Sequence, residues 1–163
     1  MEQDRLLDLL RRVKDGQVTP EEAVLQLKMQ PFEDLGYAKV DHHRKLRHGI
    51  AEVIYGEGKT PEQIAGIIEA MRQNGEKNIL VTRLSAEKAG ELSKTLEFKY
   101  NPVARIAICG YAPEVTAPGT IAVVAAGTSD LPVAEEAAVT AEALGNRVER
   151  VYDVGVAGLH RLL

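Results

Sequence analysis

The feature that most constrains the fold is the unbroken apolar run at residues 120–126, a pattern typical of a strand with both faces of a parallel sheet covered. A helical pattern follows over residues 132–144 and is closed by Gly145, and residues 148–152 have the pattern of a second strand. Parallel neighbours need a crossover connection, so this order predicts a βαβ unit, right-handed by the general rule. The fold class is therefore α/β.

Upstream of this unit, short helices alternate with short strands. An amphipathic helix ends at Gly16, and two later helices begin at Thr19-Pro20-Glu21-Glu22 and Thr60-Pro61-Glu62-Gln63, which combine an N-cap hydroxyl, a proline and a capping-box partner. A further helix is predicted over residues 85–96. The predicted strands, which we expect to pair into one small sheet, cover residues 52–55, 79–82 and 105–109.

The stretch at residues 111–119 divides the chain, because it holds two prolines and a glycine without hydrophobic periodicity. We interpret it as a linker between a small N-terminal α+β domain, residues 1–110, and the first βαβ part of a parallel-sheet domain, residues 120–163. About 45 residues are too few to bury an α/β core. We therefore expect the sequence to be a fragment of a longer protein.

Composition excludes several classes of function. The 163 residues carry 20 Lys and Arg against 24 Asp and Glu, a net charge of −4, which argues against a sequence-independent nucleic-acid binder. No apolar stretch approaches the roughly 18 residues that span a bilayer, so we expect neither membrane insertion nor secretion but a cytoplasmic protein. The single cysteine, Cys109, makes no internal disulfide and no multi-thiolate zinc site, and its place in a predicted strand favours a core residue over a nucleophile.

A candidate anion site lies at Gly127, Thr128, Ser129 and Asp130, between the apolar strand and the helix that follows. Backbone N–H groups and the helix dipole favour a phosphate or carboxylate at such a turn, and glycine lets the anion approach the backbone. The alternative is an ordinary strand-to-helix turn in which Asp130 is only a cap.

Cations cluster in the first half of this acidic chain. Arg44 and Arg47 share a helical face if residues 41–48 are helical, and Lys59 lies at the start of a well-capped helix. Either group suits a phosphate, but a solvated basic surface is the alternative. The run Gly56-Glu57-Gly58-Lys59-Thr60 is not a P-loop, because Val53 stands where that motif needs its first glycine. No metal site is predicted, since the adjacent His42 and His43 diverge on a helix or a strand.

A second glycine-containing loop follows the last predicted strand. Gly155 permits close approach of a ligand to the backbone, and His160 beyond it has the chemistry of a general acid or base. The alternative is a frayed chain end.

These motifs carry a family resemblance. The run from Phe32 to Arg44, continuing through Arg47 and Gly49 to residues 56–63, closely resembles the LarB family, the pyridinium-3,5-biscarboxylic acid mononucleotide synthases. Residues 127–130 and 155–161 resemble the phosphate-binding start and the histidine-arginine loop of aminoimidazole ribonucleotide carboxylases and mutases (PurE), although Gly158-Leu159-His160-Arg161 replaces the usual serine-alanine-histidine-arginine. LarB proteins have a PurE-like second domain, a parallel-sheet domain of Rossmann-like, three-layer architecture.

The resemblance implies a cytoplasmic enzyme that carboxylates the pyridinium ring of nicotinic acid adenine dinucleotide and splits the phosphoanhydride to release AMP. The product is the precursor of the nickel-pincer nucleotide. Carbon dioxide or bicarbonate would be the co-substrate, with no tightly bound cofactor and Mg²⁺ as a further candidate ion. The expected partners are the dinucleotide and further copies of the chain, joined through the PurE-like domain, and neither nucleic acid nor membrane.

The resemblance also implies roles for residues of the chain. Asp130 and His160 are the catalytic candidates. The substrate-binding candidates are Arg44, Arg47, Lys59, Gly127, Thr128, Ser129 and Gly155. The family is thought to activate the ring with a cysteine thiolate from a later part of the synthase domain, which Cys109 does not match. A PurE-like carboxylase or mutase and a non-catalytic nucleotide-binding module are the alternatives.

Overall fold

The structure is a computed structural model, and it describes residues 2–28, 33–41, 52–111, 114–115, 117–155 and 161. The helices are α1 (Glu2–Lys14), α2 (Pro20–Lys28), α3 (Pro61–Gln73), α4 (Ala86–Leu92) and α5 (Leu131–Ala143). The strands are β1 (Glu33–Asp34), β2 (Lys39–Val40), β3 (Val53–Tyr55), β4 (Asn78–Thr82), β5 (Lys99–Asn101), β6 (Ile106–Gly110), β7 (Thr120–Ala125) and β8 (Arg147–Tyr152). The predicted α/β class is confirmed. No helix in the described ranges is long and apolar enough to cross a membrane.

Both predicted capping boxes are present. The Thr60 hydroxyl accepts from Gln63 N at 3.3 Å while Thr60 N donates to the Gln63 side chain at 3.0 Å, and α3 begins there. At the start of α2, Glu22 N donates to the Thr19 hydroxyl at 3.1 Å and Thr19 N donates to the Glu22 carboxylate at 2.9 Å. Reciprocal bonds of this kind satisfy N–H groups that have no partner within the helix, so the starts of both helices follow from the local sequence.

The three predicted strands of the first domain pair into one sheet, in the order β3-β4-β6-β5. Strands β3 and β4 are parallel, whereas β6 is antiparallel to both of its neighbours. Edge strand β5 is not among the sequence-based predictions. Helices α3 and α4 cover one face of this sheet, and the largest side chains buried in that core are Ile64, Ile68, Met71, Ile79, Val81 and Leu84.

Helix α4 is shorter than the predicted helix over residues 85–96 and ends at Leu92. The Ser93 hydroxyl donates to the Gly90 carbonyl at 2.8 Å, the acceptor that Lys94 N would use in a continuing α-helix. Lys94 N and Thr95 N instead donate to the carbonyls of Glu91 and Leu92, three residues back. The side chain of Ser93 therefore competes with the helical hydrogen bond and helps to end the helix.

The predicted βαβ unit is confirmed: β7 and β8 are parallel, with Thr120 opposite Arg147 and Ala125 opposite Tyr152, and α5 connects them. Within the described residues only one face of β7 is covered, and the cover on its second face, which the apolar run predicts, stays a prediction. Val124 points away from α5 and is 56% exposed. Helix α5 is packed against the other face of the pair, and the described chain places no second layer on the outer face.

Helix α5 lies between the two sheets. Its Val139 and Ala143 pack with Leu80, Ala104 and Ile106 on the face of the first sheet that α3 and α4 leave open. Buried alanines at positions 134, 138 and 143 lack bulk, and this allows close packing on both sides of the helix. The layers are α3 and α4, the four-stranded sheet, α5, and the two-stranded sheet.

Contacts along α5 fix its direction relative to the first sheet. Near its end, the Ala143 carbonyl accepts from Asn78 Nδ2 at 2.6 Å, at the start of β4. In its first half, Glu136 pairs with Arg83 at 2.9 Å, just after β4 ends. Because α5 runs antiparallel to β4 and also to β7 and β8, the carboxyl ends of β3, β4, β7 and β8 all lie at one end of the molecule.

Candidate anion-binding site

The turn after β7 is built as a strand-to-helix connection. Residues Thr128 to Asp130 form a single 3₁₀ turn, in which Asp130 N donates to the Gly127 carbonyl at 3.1 Å, and α5 begins directly afterwards. Asp130 occupies the N-cap position of α5, but its side chain makes no capping hydrogen bond. Asp130 therefore caps the helix by position and not by a side-chain hydrogen bond, and the positive end of the α5 dipole faces an exposed turn.

The loop after β8 lies directly beside this turn. Val154 N donates to the Ala125 carbonyl at 3.2 Å, and Gly155 N donates to the Ala126 carbonyl at 2.7 Å. Asp153 and Gly155 both have positive φ, 56° and 71°, so the chain turns sharply as it leaves the strand. The structure thus brings together the two glycine-containing segments that the sequence singles out.

Arg161 joins this pair of loops and is missing from the site residues inferred from sequence. Its Nη2 lies 3.0 Å from Asp153 Oδ2 in an exposed ion pair. A Cβ atom at Gly155 would lie 2.9 Å from Arg161 Nη1, so the glycine makes room for the guanidinium. The sequence signal for it is the His160-Arg161 pair, in which only the histidine has the chemistry of a general acid or base. His160 itself lies outside the described residues.

A second group of polar residues lies at the carboxyl end of β3. The Lys59 ammonium donates to the Tyr55 carbonyl at 3.0 Å, and Lys88 from α4 donates to the carbonyls of Gly56 and Glu57 at 3.1 and 2.8 Å. Two lysines therefore hold the loop that precedes α3. The Tyr55 hydroxyl donates to the Glu57 carboxylate, and this bond raises the pKa of Tyr55.

Lys59 also lines a surface groove of about 290 Å³ between β2, β3 and α3. Tyr37, Lys39 and Tyr55 contribute to the same groove. A Cβ atom at Gly66 would lie 2.1 Å from the Tyr37 hydroxyl oxygen, so this glycine lets Tyr37 lie directly against α3. Lys59 thus lies at a groove that both polar and apolar residues line, and its ammonium is hydrogen-bonded to the Tyr55 carbonyl.

Arg44 and Arg47 lie outside the described residues, and their predicted role stays a prediction. The residues that flank their segment are described: Asp41 N donates to the Glu52 carboxylate at 2.5 Å. Both ends of the segment are therefore joined beside the groove that Lys59 lines, since Glu52 also lines it.

The described residues bring together no group of three or more His, Cys, Asp or Glu side chains that could hold a metal ion. All four histidines of the sequence, at positions 42, 43, 48 and 160, lie outside the described ranges.

Cys109 lies in β6 and is 1% exposed, which confirms the prediction of a core residue. Burial raises the pKa of its thiol, and the thiol rather than the thiolate therefore dominates at neutral pH. We expect iodoacetamide to modify Cys109 at least about tenfold more slowly in the native protein than in denaturant, as measured by mass spectrometry over time. Equal rates would instead indicate an accessible thiolate.

Comparison with known proteins fits this architecture. Residues 32–111 match the family described as the LarB/PurE-like N-terminal domain. An uncharacterized protein of Methanocaldococcus jannaschii is 36% identical over 167 residues, a match that covers 96% of this chain. The chain spans 64% of the length of that relative. Residues 32–111, which hold β1 to β6 and the Lys59 groove, belong to the LarB/PurE-like N-terminal domain family.

Proposed function

We propose that this protein acts in the carboxylation of the pyridinium ring of nicotinic acid adenine dinucleotide, with hydrolysis of the phosphoanhydride to release AMP. The co-substrate is carbon dioxide or bicarbonate, and the product is the dicarboxylated pyridinium mononucleotide from which the nickel-pincer nucleotide is made. The LarB/PurE-like domain supports a carboxylase-type family of PurE-related proteins. The finer reaction rests on the resemblance of the motifs.

The observation that carries the proposal is the meeting of the Gly127–Asp130 turn with the Asp153–Gly155 loop at one sheet edge. Ligands of parallel α/β sheets bind outside the carboxyl ends of the strands, where free N–H groups and the helix dipole favour anions. In the proposal, Thr128, Ser129 and the backbone N–H of Gly127 bind a phosphate of the dinucleotide, and Gly155, whose own N–H donates to the Ala126 carbonyl, lies beside them without a side chain. Arg161 supplies a positive charge beside them.

A dinucleotide also needs a second region that binds an anion. The proposal assigns it to Arg44, Arg47 and Lys59, on the first domain. The carboxyl ends of β3 and β7 lie at the same end of the molecule, on either side of α5. A helix with its side chains is about 10–12 Å across, and an extended dinucleotide is long enough to reach over its end.

The proposed chemistry needs an electron pair added to the pyridinium ring before carbon dioxide is attacked. Cys109 does not supply it, because this side chain is buried in the sheet of the first domain. The proposal takes the thiolate from the later part of the synthase domain, as the LarB resemblance implies. In the proposal, the ring carbon that has attacked carbon dioxide then loses its proton to Asp130, at the start of α5, or to His160, and the thiolate leaves so that the pyridinium ring is restored.

The test is an assay of the full-length enzyme that contains this sequence, with nicotinic acid adenine dinucleotide and isotope-labelled bicarbonate. We expect mass spectrometry to find AMP and a labelled dicarboxylated mononucleotide. Replacing Arg44 or Arg47 by Ala should raise KM by roughly tenfold to 100-fold, since one charge-assisted contact contributes about 1.5–3 kcal/mol. Arg12→Ala, on α1 outside the matched domain, is the control and should leave KM unchanged.

Two outcomes would contradict the proposal. Conversion of aminoimidazole ribonucleotide without any reaction of the dinucleotide would favour a PurE-like carboxylase or mutase. An unchanged KM in both arginine variants of an active enzyme would show that residues 41–48 form only a solvated basic surface.

A further inference from the structure

One carboxylate connects three elements around the candidate site. Glu135, in the first turns of α5, accepts from Arg150 Nε at 2.9 Å and from the Tyr152 hydroxyl at 2.8 Å, both through Oε2. Its Oε1 accepts from Arg150 Nη2 and from Asn101 Nδ2, each at 3.2 Å. Four donors thus meet the two oxygens of one side chain, which is 16% exposed.

Two of these contacts join the segments that form the site. Helix α5 begins at the Gly127–Asp130 turn, and Glu135 lies little more than one helical turn beyond it. Tyr152 is the last residue of β8 and directly precedes the loop at Asp153–Gly155. The Glu135–Tyr152 bond therefore spans the space between the helix that leaves one loop and the strand that enters the other.

The Asn101 contact adds the first domain. Asn101 Oδ1 accepts from the backbone N–H groups of Val103 and Ala104, each at 3.0 Å, so the orientation of this amide is fixed. Its Nδ2 then points to Glu135. Strand β5, which carries Asn101, is the edge strand of the first sheet, and its polar contact lies beside the apolar packing of α5 on Ala104 and Ile106.

The chemistry of the contact requires a carboxylate. The four N–H and O–H groups around Glu135 all donate and therefore all need an acceptor. An ionised carboxylate has about four acceptor positions and no proton to donate. The hydrogen bond from Arg150 lowers the pKa of Glu135 and keeps it charged. A glutamine of nearly the same shape would turn an NH₂ group toward one of these donor pairs.

We propose that Glu135 is a positioning residue. It sets the distance between the Gly127–Asp130 turn and the Asp153–Gly155 loop, and it fixes the position of both loops relative to the first domain. The inference rests on the proposed function only in taking these two loops as the place where a phosphate binds. The first domain thereby contributes to the site of the second unit. Without the fixed Asn101 amide, Glu135 Oε1 would lose its hydrogen bond to the first domain.

The test compares Glu135→Gln with Glu142→Gln in the purified chain. Glu142 is the matched control, since it pairs with the same Arg150 at 2.5 and 2.9 Å but lies at the far end of α5, is 43% exposed, and touches neither Tyr152 nor Asn101 in the described contacts. We expect Glu135→Gln to weaken AMP binding about tenfold or more by calorimetry, and Glu142→Gln to change it less than about twofold.

Hydrogen exchange supplies a measurement that does not depend on the ligand. The amides of Val154 and Gly155 donate to Ala125 and Ala126, and we expect both to exchange faster in Glu135→Gln while the amides of β4 and β6 do not change. Exchange that is unchanged at Val154 and Gly155, or equally faster in both variants, would overturn the positioning role. Absence of AMP binding to the wild-type chain would count against the proposed function, and the exchange comparison would still decide the inference.

Discussion

Replacing Gly110 by Ala is expected to destabilise the protein by about 2–4 kcal/mol. Gly110 ends β6 with a φ of 103°, and a Cβ atom there would lie 1.9 Å from the Lys77 carbonyl oxygen. That oxygen accepts from Tyr111 N at 3.1 Å and belongs to the backbone, so it cannot move aside without disturbing the start of β4. The measurement is urea unfolding followed by circular dichroism.

Gly90→Ala is the matched control for this substitution. Gly90 is exposed on α4, its φ is not positive, and a Cβ atom there would meet nothing within 4 Å. Alanine should therefore raise the free energy of unfolding by about 0.5–1 kcal/mol, because glycine loses more backbone entropy in a helix. Similar unfolding midpoints for the two variants would mean that the backbone at Gly110 does not need glycine.

Replacing Gly127 by Val should abolish the binding of AMP, or weaken it by about 100-fold or more, without changing the unfolding midpoint. Gly127 has a φ of −136° and a ψ of 163°, an extended conformation that any residue adopts. The nearest atoms to an added Cβ are Asp130 Oδ2 at 3.9 Å and Ser129 Oγ at 4.0 Å, which is ordinary contact. The fold thus has room for the valine side chain. A loss of AMP binding would therefore mean that the side chain blocks the ligand, and not that the backbone is distorted.

Gly119→Val is the control for this second prediction. Gly119 lies just before β7, at the opposite end of the same strand, and an added Cβ would meet nothing within 4 Å. Calorimetric titration with AMP should give the wild-type Kd for Gly119→Val. Normal binding by the Gly127 variant would place the phosphate away from this turn.

The boundaries of several elements follow from the sequence because their causes are local. The starts of α2 and α3 are set by capping boxes within four consecutive residues, and the end of α5 by Gly145 with a φ of 82°. The βαβ unit follows from an apolar run, a helix and a second strand in that order. The meeting of the Gly127 turn with Gly155 also follows, since the carboxyl ends of adjacent parallel strands share an edge.

Other parts of the candidate site depend on contacts between residues far apart in the chain. No local sequence pattern places Arg161 against Gly155 and Asp153, and the roles of Arg44, Arg47 and His160 stay predictions. Glu135 has no local signal at all: in the sequence it is one of two adjacent glutamates on a helix. Only the position of β5 and β8 distinguishes it from Glu136, which pairs with Arg83.

The sequence by itself determined the order and type of most elements, because caps, glycines and hydrophobic periodicity act within a few residues. Tertiary structure alone decided that α5 lies between two sheets, that β5 adds an edge, and that β3 and β4 have their carboxyl ends at the same end of the molecule as β7 and β8. The physical reason is that an alanine-rich helix such as α5 can pack on either side. The face of α5 that packs on the first sheet is fixed because Val139 is buried there against Leu80 and Ile106. These residues are far apart in the chain, so no local sequence pattern predicts the contact.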